Sequence, residues 1–479
     1  MSPMEQLTCH QSTTIKETLH KIDQNARGMI CFINEESRVI GMMTDGDIRR
    51  ALLKGATLNT PVADFINRNF FWMPSGLAEE DYRRSIAEKG YNHVVVLDDE
   101  KRLARVISRK DVACLGIASI SLAGNELKYV AECIRTNWIS SQGEFVRRFE
   151  QIFAQYHGVP HAASCSNGTT AIHLALLGIG IEPGDEVIVP TSTFGATANA
   201  VMHAGGIPVF VDVEPDTWCI SPSLVEQAIT DKTKAIIPVH LYGHPADMPA
   251  IMDIAHKHGL KVIEDCAEAL GAKINGRLVG TFGDVGCFSF FANKVITTGE
   301  GGMVISNDEA VNIRMMQYRD HGTSLQRKYW HEVPGYNYRM TNIQAAIGVG
   351  QMERLESFLN LRRNIAASYT RLLAGVDWLQ LPICREGYEN IYWLYTVCLK
   401  ENALFSRDVL MAKLKEQHFD SRPFFPALHH QPAYSVVTRK GDFPVALMLE
   451  QNGLSLPTSN FISLLEVERI CSAITRMLK

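Results

Sequence analysis

Four short apolar runs set the architecture open to this chain: DEVIVP (185–190), PVFVDV (208–213), KAIIPVHL (234–241) and KVIED (261–265). They read as buried strands, and helical patterns such as SPSLVEQAI and ADMPAIMDIAHKHG separate them. Strands that alternate with helices imply an α/β fold, a mainly parallel sheet covered on both faces. In such sheets ligands bind beyond the carboxyl ends of the strands. After about residue 355 the rhythm turns helical and then mixed, which predicts a smaller C-terminal α+β domain over 356–479 behind a large domain over 120–355.

The first 116 residues have a different character, because they repeat. CFINEESRVIGMMTDGDIRR, starting at Cys31, aligns without gaps to VVLDDEKRLARVISRKDVAC, starting at Val95, an offset of 64. Thr44 falls on Ser108, Asp47 on Asp111, Asn34 on Asp98 and Arg38 on Arg102. Each copy reads as strand, acidic turn, strand and helix, with a hydroxyl and an Asp opening the helix. A Thr or Ser with an Asp three residues on is equally the signature of a helix N-cap. The duplication resembles a CBS domain pair, a fold that commonly binds adenine nucleotides. That resemblance implies that Thr44, Asp47, Ser108 and Asp111 contact ribose and phosphate. The first copy keeps a glycine ahead of this element (Gly41), whereas the second has Arg105, so the two sites are expected to differ.

Composition narrows the function. The chain has 479 residues, 46% hydrophobic and 21% charged, with a net charge of −5, which gives no bias toward nucleic acid or anionic membrane. No apolar run approaches the roughly 18 residues of a membrane span. The N-terminus lacks the parts of a signal peptide. Eleven scattered cysteines form no CxxC or CxxH pair, which argues for reduced thiols rather than disulfides or zinc. The expectation is a cytoplasmic protein without a metal.

The chemistry concentrates in FSFFANKVITTGEGG (288–302). Lys294 stands between Phe290 and Phe291 on one side and Val295 and Ile296 on the other. An ammonium in such company must pair, deprotonate or react, and a neutral lysine amine forms Schiff bases with carbonyls. Asp265 ends the KVIED strand, where a carboxylate can hold a pyridine nitrogen protonated or simply cap a helix. Glu264 beside it is expected on the other face, toward solvent or a structural partner. SCSNGTTAIHLALLGIG (164–180) places a small-residue turn before an apolar helix, a suitable seat for an anion. There Gly168 allows close backbone approach and Thr169 adds a donor. Ser289 could reach the same anion, and Phe194 could stack on a flat ring.

Together these elements resemble the DegT-type sugar aminotransferases, fold-type-I enzymes that use pyridoxal 5'-phosphate. The likeness covers about 121–479 and rests, in family order, on WISSQG, SNGTTAIHLAL, TFGATANAV, PVHLYGHPADM, EDCAEALGA, FSFFANKVITTGEGGM and GYNYRMTNIQAAIG. It implies that Lys294 is the Schiff-base lysine, that Asp265 pairs with the ring nitrogen and that Glu268 lies near the ring hydroxyl. Gly168, Thr169 and Ser289 would hold the phosphate, with Phe194 on the ring face. Asn337 would reach the phosphate of a second subunit, making a homodimer or higher oligomer. Relatives with histidine in place of the lysine deoxygenate their sugars, so Lys294 implies amination. Within the family the likeness is greatest to the GDP-perosamine synthases, on WISS, FFANKVITTGEGG and RDHGTSLQRKYWHEVPGYNYRMTN. Those enzymes aminate C4 of GDP-4-keto-6-deoxymannose with glutamate, for surface polysaccharide. Trp138, His321 and Arg339 are then candidate substrate contacts. The alternatives are a UDP- or dTDP-linked ketosugar, a dehydratase, or a nucleotide-sensing regulator with a vestigial enzyme domain.

Overall fold

A computed structural model of the chain describes residues 5–25, 27–77, 81–82, 85, 91–108, 116–324, 326–436 and 442–478. It divides into two compact units, Met1–Cys114 and Leu115–Lys479.

The first unit is built on the duplication. Strands Thr8–His10, Met29–Ile33 and Val39–Thr44 form one sheet, and Trp72–Pro74, His93–Leu97 and Leu103–Ser108 form another. Every strand boundary in the second sheet is its counterpart in the first shifted by 64, from Thr8 and Trp72 to Thr44 and Ser108. In both, the short first strand is parallel to the second and the other two are antiparallel. The turns repeat as well. The Asn34 side chain accepts the N–H groups of Glu36 and Arg38, and the Asp98 side chain those of Glu100 and Arg102. These Asx contacts support left-handed residues one step before the arginines, Ser37 (φ 62°) and Lys101 (φ 64°). The two turns then meet in an antiparallel bridge between Arg38 and Arg102. Met29, Cys31 and Val39 pack with Val95, Leu97, Leu103 and Val106 in one core shared by both copies.

Gly41 marks the difference between the copies. A Cβ there would collide with Ile66 and stand 2.8 Å from the Asn67 carbonyl, because the chain folds back so that Met42 and Asn67 exchange both backbone hydrogen bonds at 3.0 Å. In the second copy Arg105 is exposed and lies over the Tyr82 ring at 4.8 Å.

In the second unit the central sheet has seven strands: β1 (His161–Cys165), β2 (Glu186–Pro190), β3 (Ile207–Val211), β4 (Thr233–Ile236), β5 (Lys261–Asp265), β6 (Val285–Ser289) and β7 (Gly302–Ser306). Their order is β1-β7-β6-β5-β4-β2-β3, with β7 antiparallel to both neighbours and the other pairs parallel. Successive residues in a strand face opposite sides. Val187 and Val189 accordingly enter one buried cluster and Ile188 the other, and Ile263 and Val262 divide the same way. Burial on both faces is why these runs are apolar without alternation. Strand β4 is shorter than KAIIPVHL suggests. Pro238 has no N–H to continue the ladder, and the chain rejoins the sheet only as a bridge from Val239 to Asp265.

Helix Leu355–Leu373 leads to a four-stranded antiparallel sheet ordered Leu379–Gln380, Tyr395–Leu399, Gly453–Leu456, Arg422–Pro423. That sheet has its own core, including Tyr369, Leu373, Val397, Leu454 and Ile470. Among the described residues no helix is long and apolar enough to cross a membrane.

Gly41→Ala is expected to destabilise the N-terminal unit by about 1–3 kcal/mol, the usual cost of overpacking. Chemical unfolding followed by a probe in residues 1–114 would read it, and an unchanged midpoint would contradict the close approach of Asn67.

Candidate active site

The carboxyl ends of β5 and β6 gather the ionisable groups. Asp265, 5% exposed, ends β5. Its carboxylate accepts the Thr197 hydroxyl at 2.8 Å and the Ala267 N–H at 3.1 Å. Burial raises its pKa above the ordinary carboxylate range, against the pull of those two donors and of the Lys294 charge. Glu268, also 5% exposed, accepts the Tyr242 N–H at 2.9 Å and lies 3.5 Å from the Lys294 amine. Burial raises its pKa too, opposed mainly by Lys294.

Lys294 sits in the loop that joins β6 to β7, its side chain 13% exposed. Of the four apolar neighbours in sequence, Phe290, Val295 and Ile296 are buried, while Phe291 is 44% exposed. Burial lowers the amine's pKa, and the charges of Glu268 and Asp265 oppose the shift. The amine stands 3.7 Å from the ring centroid of Trp393.

The small-residue turn adjoins this group. Asn167 caps helix Gly168–Ile179 in a box with Thr170, which leaves the first-turn N–H groups of Gly168 and Thr169 outside the cap. A Cβ on Gly168 would come within 2.7 Å of the Ser289 Cβ, so glycine lets the helix start meet the end of β6. This is a cradle of backbone N–H and hydroxyl groups suited to a phosphate. Phe194 follows β2, is 63% exposed and faces Phe425 with ring centroids 6.0 Å apart.

A second cluster holds Asn337, Arg339 and His321. Arg339 donates to Asp320 at 2.8 Å and to the Asn337 side-chain oxygen at 3.3 Å, and lies 3.4 Å from the His321 ring. Tyr338 ties this strap to the turn before helix Gly168–Ile179, its carbonyl accepting the Ser166 N–H at 2.7 Å and its hydroxyl meeting His173 at 3.1 Å. Asn337 is exposed. Trp138 is 57% exposed, and among the described residues no ring contact or side-chain hydrogen bond joins it to the Lys294 group.

Comparison with known proteins decides the family. The profile of the DegT/DnrJ/EryC1/StrS aminotransferase family matches residues 121–475, and that of the CBS domain matches residues 1–54. The chain belongs to the DegT/DnrJ/EryC1/StrS aminotransferase family. It is 45% identical over 354 residues to a GDP-perosamine synthase of Escherichia coli O157:H7, covering 74% of this chain and 96% of that one. It is 43% identical over 369 residues to one of Caulobacter vibrioides, covering 77% and 99%. Among solved structures it resembles S. venezuelae DesV in complex with a ketimine intermediate, with TM-score 0.70 and 35% identity over 74% of this chain and 94% of that one. It also resembles ColD, a GDP-4-keto-6-deoxymannose-3-dehydratase bound to GDP-perosamine, with TM-score 0.70 and 26% identity over 75% and 100%.

In this aminotransferase Glu264 takes the second of its two expected surroundings, a structural partner rather than solvent. It is fully buried, accepts the N–H groups of Gly280, Phe282 and Gly283 at 2.6–2.8 Å, and meets His240 at 3.2 Å. It closes the loop that starts β6. Three further contributors went unnoticed in the sequence: Thr197 on Asp265, the Tyr242 backbone on Glu268, and Trp393 on Lys294. Thr197 lies within TFGATANA but has no distinguishing neighbour, and Trp393 lies far along the chain in the C-terminal part. In the N-terminal unit Thr44 and Asp47 bind one another, hydroxyl to carboxylate at 2.7 Å, in an N-terminal capping box that Arg50 joins at 2.6 Å. Ser108 ends its strand, 8% exposed, and Asp111 lies outside the described residues.

Proposed function

We propose that the chain transfers the amino group of glutamate to C4 of GDP-4-keto-6-deoxymannose, giving GDP-perosamine. The buried Lys294–Asp265–Glu268 constellation beside the Gly168 cradle carries this reading, and the identities of 43–45% to GDP-perosamine synthases support the sugar.

The residues fit pyridoxal phosphate. Asp265 is a buried carboxylate with two weak neutral donors, the right complement for a protonated ring nitrogen. The Gly168 cradle suits the phosphate, with Thr169 and Ser289 as hydroxyl donors, and Phe194 is free to cover the ring. When bound, the cofactor condenses with amino groups and draws electrons from the attached carbon. Asp265 would keep the ring nitrogen charged, and Glu268 would lie near the ring hydroxyl. Lys294, whose amine burial makes easier to neutralise, takes the proton from the donor carbon and later returns one to C4 of the sugar. Trp138, His321 and Arg339 bind the nucleotide sugar. A panel of GDP-, UDP- and dTDP-linked 4-ketosugars incubated with glutamate should yield a 4-amino sugar from the GDP-linked mannose derivative. Lys294→Ala should lose at least the 10²–10⁴-fold typical of acid–base help, together with the cofactor's visible absorbance. Product from another nucleotide alone would overturn the sugar, and an active Lys294→Ala enzyme the mechanism.

Asn337 completes the phosphate site of a second subunit in a homodimer. Its exposure at the edge of the strap supports this. Lys294→Ala and Asn337→Ala chains, each inactive alone, should regain one working site per mixed dimer. Mixtures that stay inactive would place Asn337 in its own subunit's site.

The N-terminal unit binds an adenine nucleotide through the Thr44–Asp47 element and tunes the enzyme or its assembly. Binding then has to open the capping box. Calorimetry with AMP, ADP, ATP and S-adenosylmethionine should show heat that Asp47→Ala removes, and no heat with any of the four would leave a structural role only.

A further inference from the structure

Trp393 is fixed from three directions. Its indole N–H donates to the Asn293 carbonyl at 2.7 Å, one residue before the lysine. Its own carbonyl accepts Arg362 at 2.8 Å and the Thr458 hydroxyl at 2.8 Å. Its ring stacks on Tyr242, centroids 6.2 Å apart and planes 24° from parallel. It is 3% exposed.

Arg362 shows how much the fold invests in this arrangement. Its guanidinium is fully buried, and no carboxylate pairs with it among the described residues. Nη1 donates to the Trp393 and Thr458 carbonyls, while among the described residues Nε and Nη2 have no hydrogen-bond partner. A buried cation without an anion is costly, so its contacts serve to hold the Trp393 backbone in place.

What Trp393 presents to Lys294 is the face of its ring. Glu268 is the nearest anion at 3.5 Å, the outer edge of hydrogen-bond range, whereas the amine sits 3.7 Å above the indole centroid, well inside cation–π distance. The other charged groups bearing on the amine are Asp265 and Arg422.

We propose that Trp393 is a positioning residue for Lys294: its indole face is the dock to which the protonated amine returns whenever the lysine is released from the cofactor, and its N–H fixes the loop that carries the lysine. Asn293 and Lys294 are adjacent, so one side chain sets both the backbone and the amine. A loose carboxylate and a ring face hold the ammonium without trapping it, as a group that must give the proton back requires. This dock rests on the reading of Lys294 as the proton carrier.

The test reads the amine directly, in full-length protein freed of cofactor. The rate at which trinitrobenzenesulfonate modifies Lys294, followed by mass spectrometry across pH, gives the titration midpoint of that amine. Replacing the chain's six tryptophans with a multiply fluorinated analogue keeps shape and N–H but weakens the ring's negative face. Among the described residues only Trp393 has its ring against Lys294. The midpoint should fall by about half a unit to one unit, and by at least as much in Trp393→Leu if that variant folds. An unchanged midpoint in the fluorinated protein overturns the dock. That result would leave the loss of turnover in Lys294→Ala untouched, so failure of the dock and failure of the proton-carrier role are separable.

Discussion

The burial of one amine beside two carboxylates organises this enzyme. Lys294, Asp265 and Glu268 are taken almost wholly out of water at the ends of β5 and β6. Desolvation pushes both acids toward neutrality and the amine toward its free base, and mutual attraction offsets only part of this. Neighbouring contacts hold the three side chains in place. Thr197 holds Asp265, the strained Tyr242 backbone (φ 51°) holds Glu268, and Trp393 holds the lysine. Near neutral pH such a cluster costs the folded chain stability, and a bound group that brought a cation to Asp265 and occupied Lys294 would relieve that cost.

The pleat of β5 separates chemistry from structure within two adjacent acids. Glu264 and Asp265 point to opposite sides of the sheet, as strand geometry requires. Glu264 receives three backbone N–H groups and lies against a histidine, so its accepting capacity is taken up by the fold. Asp265 receives two donors, one at each oxygen, and keeps capacity for a ligand. A carboxylate thus becomes a loop anchor on one face and keeps free accepting capacity on the other, decided by the number of donors it meets.

Much of this was legible in the chain. The apolar runs gave β2, β3 and β5 closely, and Asp265 and Lys294 stood out because charge ending or interrupting an apolar run demands an explanation. The 64-residue repeat was visible over Cys31–Arg50, where side chains match. It was invisible at Thr8–His10 and Trp72–Pro74, which share no residue although they pair with their neighbours in the same register. The end of β4 was misjudged because the apolar pattern runs through Pro238, and the missing N–H outweighs hydrophobicity there. Strand alternation put Glu264 opposite Asp265, but the partner it meets there was not legible, since it consists of backbone N–H groups of a loop. Trp393 and Thr197 were hidden for a different reason. They act through tertiary contacts from remote segments, and nothing local to either residue records the neighbour it will meet.

The duplicated unit shows how one substitution can divide two copies of a fold. The pairs Asn34 and Asp98, Ser37 and Lys101, and Arg38 and Arg102 keep the two hairpins superposable down to their left-handed residues and their shared bridge. At the next strand Gly41 lets the chain fold back onto Met42, whereas Arg105 at the equivalent place is exposed and lies over the Tyr82 ring. A glycine admits a backbone edge, with its paired N–H and carbonyl groups, while an arginine offers a cation and excludes the backbone. The surfaces next to Thr44 and Ser108 therefore differ in shape and charge although the strands leading to them do not. A ligand of one chemistry would therefore meet two different surfaces on a frame that is otherwise repeated.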